Sequence, residues 1–154
     1  MIHSKTHRGK MRKRLYIGSS QIRFLRYSLG LVYLWFGALK LFPDMSPAQQ
    51  LAMDTVERLS FQLIPGQVGL ILLASWEVGL GLGFILGFRH RLLLTLFFIH
   101  LAGTFSPLIL FTSLSFTSFP FAFTLLGQYI VKNIVFIAAG WILWDEERED
   151  LAQA

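Results

Sequence analysis

The chain has no cysteine. That excludes disulfides, thiol redox chemistry and cysteine metal sites, and it leaves the redox compartment unreadable. Acidic residues are missing from the first 26 positions, which hold eight Lys or Arg. No HExxH, CxxC, P-loop or nucleophile elbow occurs anywhere. Three of the four histidines, His3, His7 and His90, fall in the amino-terminal tail or in a short turn. A single histidine inside an apolar segment, His100, cannot make a bis-histidine haem site. Neither a metal nor a haem is therefore expected.

What the chain does have is hydrophobic residues, 54% of its 154 positions, and a mean hydropathy of +0.55. They come in runs longer than a soluble core helix needs, which defines a membrane protein with the lipid bilayer as its first partner. The net charge of +5 is uneven. The basic start reads as a cytoplasmic, lipid-facing tail. No nucleic-acid motif accompanies it, so nucleic acid is not an expected partner. A signal peptide is not expected, because the first apolar segment is too long and no small-residue cleavage site follows it.

The central stretch is Gly66 to Gly87, GQVGLILLASWEVGLGLGFILG. At a rise of about 1.5 Å per residue it matches the ~30 Å hydrocarbon core, and Glu77 stands at its centre. A carboxylate at that depth costs several kcal/mol unless it is neutralised or paired. The spacing of Gly79, Gly83 and Gly87 predicts a close-packing stripe on another face of the same helix.

The other spans follow from composition. The first runs from Ile22 to Phe42, with Arg26, Gly30, Tyr33, Gly37 and Lys40 on one heptad-spaced face. Lys40 belongs near the outer interface, by snorkelling or by facing the bundle. In the loop 43–65, Ser46 and Pro47 predict a helix start. Leu51, Thr55, Val56 and Leu59 oppose Asp54 and Glu57, which predicts a short amphipathic surface helix. The third span, Leu92 to Phe111, carries His100 near mid-depth, and Pro107 predicts a kink that frees the Gly103 carbonyl. The fourth, Phe121 to Trp144, carries Gln128, Tyr129, Lys132, Asn133 and Phe136.

The expected fold is thus all-α: a transmembrane four-helix bundle with a short amphipathic helix between spans 1 and 2. Residues 1–20 form a basic tail, 21–144 the membrane domain and 145–154 an acidic tail. Lys and Arg concentrate in the amino-terminal tail and the Arg89–Arg91 turn, which predicts a multi-pass cell-membrane protein with both termini cytoplasmic.

Glu77, His100 and Lys132 reach similar depths on three helices. The expectation is that they face inward and meet, with Glu77 paired to Lys132. One reading makes them a proton-handling or ligand-binding pocket, with Lys40, Trp76, Gln128, Tyr129 and Asn133 as further lining. The other makes the buried pair structural, fixing helix order.

Several motifs stand in a fixed order: GLVYLWFGALKLFP in the first span, WEVGLGLG in the second, HLAGTFSPL in the third and GQYIVKN in the fourth. Together they resemble the DoxX-like superfamily of four-helix membrane proteins over about Arg23 to Trp144. The resemblance implies that Lys40, Glu77, His100, Gln128 and Lys132 hold the family's recurring polar positions. Where the family pattern has an acid, this chain has Leu126. Some members are similar to quinone-reducing respiratory subunits and others are linked to oxidative or electrophile stress. The resemblance therefore implies a redox-linked membrane subunit, with quinone as its cofactor and a soluble or membrane redox partner. The alternatives are a small proton-coupled carrier, which at four spans requires a homo-oligomer, and a non-catalytic assembly subunit.

Overall fold

The computed structural model describes residues 18–42, 45–88 and 91–153. The basic tail up to residue 17 and the Arg89–His90 pair fall outside them. Helix α1 spans Ser19–Leu39, α2 Gln49–Leu59, α3 Gly66–Leu86, α4 Arg91–Phe105, α5 Pro107–Leu110 and α6 Thr112–Ser115. Strands β1 (Phe116–Ser118) and β2 (Ala122–Phe123) form an antiparallel hairpin, followed by α7 (Leu125–Val131) and α8 (Ile134–Gln153). Among the described residues three helical segments are long and apolar enough to cross a membrane: Gly66–Leu86, Arg91–Leu110 and Leu125–Arg148. The protein is thus an all-helical membrane protein apart from one small hairpin. Helix α1 is as long as α3, but Ser19, Ser20, Gln21, Arg23 and Arg26 crowd its first turns.

Two helix pairs build the bundle, α1 with α3 and α4 with α8. The α1–α3 contact is made by glycine, at the seam read from α1. A Cβ on Gly81 would stand 2.8 Å from the Gly30 carbonyl oxygen, and one on Gly37 would stand 2.8 Å from Glu77 Cβ. Backbones this close leave no room for any side chain. On α3 the stripe differs from the one expected from sequence. Gly79 touches nothing within 4 Å, and Gly83 meets only the Leu93 side chain. Gly87 ends the helix at φ +77°, a left-handed position that glycine adopts without strain. Phase explains the difference: Gly81 and Ala74 share the face toward α1, whereas Gly79 lies on the exposed side.

The short helix expected between the first two segments is α2, and it packs against the start of α3. Val56 packs on Gly69, Thr55 is buried, and Glu57 Oε1 accepts the Gly66 backbone N–H at 2.6 Å, stabilising the positive start of α3. Ser46 does not cap it. Residues 46–49 first close a turn, with the Gln49 N–H donating to the Ser46 carbonyl, and Ala48 is the boundary residue.

Four further features differ from the sequence reading. Pro107 does break the third segment, but the Gly103 carbonyl is not left free: it accepts from Ser106 N at 3.1 Å and Ser106 Oγ at 2.6 Å. The fourth segment starts at Leu125, because residues 121–123 belong to the hairpin. It is also interrupted at Lys132 and Asn133, where i→i+3 bonds from Asn133 to Ile130 and from Val135 to Lys132 tighten the backbone. At the other end, α8 does not stop at Trp144 but carries the acidic residues onward as helix.

Candidate functional site

The site grows from Glu77, buried midway along α3. Gly37 brings α1 close enough for Lys40, the residue that ends that helix, to reach it. Lys40 Nζ donates to Glu77 Oε2 at 2.6 Å and also contacts the Phe36 carbonyl at 3.4 Å. The other carboxylate oxygen, Oε1, stands 3.0 Å from His100 Nε2 on α4. His100 Nδ1 is 3.2 Å from the Tyr33 hydroxyl, which returns to α1. Four side chains from three helices thus form one continuous chain of hydrogen bonds, Lys40–Glu77–His100–Tyr33.

Aromatic rings enclose the imidazole. The Trp76 ring meets it edge-on with centroids 6.0 Å apart, and Tyr33 packs at 5.2 Å. Tyr33 is itself held by Phe97 at 5.3 Å and Phe136 at 6.0 Å. Because Glu77 and His100 are buried, each polar contact is electrostatically stronger than it would be in solution.

The donor inventory fixes the proton pattern. An ionised carboxylate can only accept, so Nε2 carries the hydrogen shared with Glu77. When His100 is neutral, its Nδ1 accepts from the Tyr33 hydroxyl. When it is protonated, Nδ1 donates and the Tyr33 oxygen accepts. Rotation of one hydroxyl therefore keeps the Nδ1–Tyr33 contact a hydrogen bond in either form of the ring.

Lys132 is not part of this chain, contrary to the expected Glu77–Lys132 pair. It is exposed, with Nζ over the Tyr129 ring at 4.7 Å. Gln128 and Tyr129 are exposed beside it, and Asn133 lies in the tightened turn. That turn changes the helical phase on which the inward assignment of Lys132 rested. Lys40 is the true partner; its Cα belongs near the interface, but its side chain runs back along the helix. Tyr33 is the site residue the sequence reading left out, although its place between Gly30 and Gly37 on the packed face signals it.

A second polar centre lies two turns further along the same helices. Arg26, Glu146 and Glu147, with Phe84, Phe88, Leu93, Leu94 and Leu143, line a cleft of about 30 Å³. Leu29, Leu80, Phe84 and Phe97, all buried, belong to the apolar cluster at the middle of the bundle. Among the described residues no three His, Cys, Asp or Glu side chains stand close enough to share a metal ion. No family model, curated protein or solved structure matches the chain.

Proposed function

We propose that the chain is a four-span cell-membrane protein of the DoxX-like type, acting as a proton-handling subunit of a quinone-linked redox system. The observation that carries this reading is His100, held between a carboxylate on Nε2 and a phenol on Nδ1. A quinone carbonyl needs a proton delivered as it is reduced, and an imidazole hydrogen-bonded to a carboxylate suits that task. Electrons come from a partner protein, and Trp76 offers a flat apolar wall beside the imidazole.

His100→Gln tests this. Glutamine keeps a donor and an acceptor but does not titrate near neutral pH. The variant is expected to insert and fold, while quinone-dependent turnover of membranes from a complemented deletion strain falls by about 100-fold or more, the usual contribution of a general acid–base group. Complementation equal to wild type in every assay that responds to deletion would refute the proton-handling role. The result would then favour the structural reading, which the close Lys40–Glu77 pair between α1 and α3 also supports.

The topology in this reading has α1 as the fourth span and both termini cytoplasmic. Single-cysteine labelling is clean here because the chain has no cysteine of its own. Cysteines at Gln50 and Ser118, both exposed, are expected to react with an impermeant maleimide from outside, and those at Lys5 and Gln153 only after lysis. Ser115, fully buried, is unsuitable as a reporter. Labelling of the termini on intact cells would reverse the arrangement.

A further inference from the structure

At the end of the bundle where α1 stops and α3 begins, the connecting segments are apolar rather than polar. Phe61 and Leu63, in the α2–α3 turn, are 88% and 83% exposed, and Phe119 and Phe121, at the hairpin tip, 70% and 88%. Phe42 and Met45, after α1, are exposed as well. Aqueous loops connecting membrane spans do not normally present bare phenylalanines.

The α2–α3 turn holds Phe61 in a backbone conformation it would otherwise avoid. Phe61 and Gln62 both have positive φ, +54° and +65°, in a region that bulky residues avoid. The conformation is locked from several directions. Gln62 N donates to the Glu57 carbonyl at 2.7 Å, Ser60 Oγ donates to the same carbonyl at 3.1 Å, and Ile64 N donates to Ser60 Oγ at 3.2 Å. The result of this locked conformation is a phenylalanine left 88% exposed.

The hairpin shows the same preference for a dry setting. No Asp, Glu, Lys or Arg occurs between Arg91 and Lys132. The hydroxyls in and around it turn back onto backbone carbonyls: Thr117 onto Ala122 at 3.1 Å, Thr124 onto Leu114 at 2.6 Å and Ser115 onto Pro107 at 3.2 Å. Satisfying polar groups internally is what a chain must do where water is scarce. Ile109, near the end of the adjacent membrane segment, is exposed as well.

We infer that this rim, formed by the Phe61–Leu63 turn and the Phe119–Phe121 hairpin tip, is seated among lipid acyl chains at the membrane interface. Its occupant is lipid rather than a protein, because the turn and the hairpin tip carry no charge and the hairpin lies within an uncharged stretch of chain that joins two membrane-crossing segments. The two-stranded hairpin has open edges, so its backbone lies at headgroup level and only its side chains descend, to about 5–10 Å. The polar side of α2, with Gln50 and Asp54 bonded to each other at 2.8 Å, faces water above it.

The inference rests on the membrane reading but not on the redox one. Nitroxide labels on single cysteines at Phe61, Phe121, Gln50 and Leu72, in the full chain reconstituted into phosphatidylcholine vesicles, test it by collision with oxygen and with a water-soluble nickel chelate. Phe61 and Phe121 are expected to favour oxygen, as Leu72 on α3 does, while Gln50 favours nickel. Nickel-favouring labels at 61 and 121 with an oxygen-favouring label at Leu72 would overturn the rim alone. Labels at 61 and 121 shielded from both reagents would overturn it in favour of a covering protein. Nickel preference at Leu72 as well would overturn the membrane reading with it.

Discussion

Glu77→Leu is expected to lower stability by about 3–5 kcal/mol, because it strands Lys40 without its carboxylate in a site where both side chains are about nine-tenths buried. Removing one member of a buried pair costs far more than removing both, since the survivor keeps its desolvation penalty and loses its compensation. Lys40→Met alone is expected to destabilise by a similar amount, and Lys40→Met with Glu77→Leu to recover much of the loss. The recovery is incomplete because Glu77 also holds His100 Nε2 at 3.0 Å. Lys132→Met serves as the control. Exposed over Tyr129, it is expected to stay within about 0.5 kcal/mol of wild type, the usual range for surface changes. Thermal unfolding of the purified variants in bicelles measures all four. Additive single effects for Lys40 and Glu77, or coupling between Glu77 and Lys132 instead, would show that the pairing is wrong.

Gly81→Ala carries the second large effect. Its Cβ would stand 2.5 Å from Leu34 N and 2.8 Å from the Gly30 carbonyl oxygen, and both of these are backbone atoms of the facing helix. A flexible side chain can move aside, but a helix backbone cannot without parting the two helices. Overpacking of this kind costs about 1–3 kcal/mol, and the upper end is expected here. Gly79→Ala, two residues away, meets nothing within 4 Å and is expected to be neutral or to gain about 0.5–1 kcal/mol from helix propensity. A proline-free helix with glycines of opposite value two positions apart is a sharp test of the α1–α3 register. Equal costs at both positions would mean that the helices meet on another face.

How much of this was legible depends on what the sequence encodes. The α3 boundaries follow from an uninterrupted apolar run between Pro65 and Gly87, and the α1 seam from its heptad spacing. Glu77 and His100 were marked as inward because an ionisable group deep in an apolar helix has few other places to go. The partner of Glu77 was not legible. Counting residues gives the depth of a Cα, but it gives neither the direction around the bundle axis nor the reach of a lysine. By depth alone Lys132 qualifies and Lys40 does not, whereas the tightened turn at Lys132–Asn133 turns the one away and a backward-running side chain brings the other to Glu77. The hairpin was missed for a related reason: Phe121 to Phe123 is as apolar as the helix after it, and a short apolar run does not distinguish strand from helix. The glycine stripe on α3 was read by its regular spacing, whereas contact was decided by phase.

His100 is where the two helix pairs of the bundle touch through polar atoms: it stands on α4, and both of its nitrogens reach across to α3 and α1. Any displacement of α4 against the glycine-packed pair therefore changes two hydrogen bonds at once, the one to Glu77 and the one to Tyr33. The glycine seam and the polar chain are thus two halves of one clasp: the first sets how near α1 and α3 stand, and the second fixes where the other helix pair sits against them.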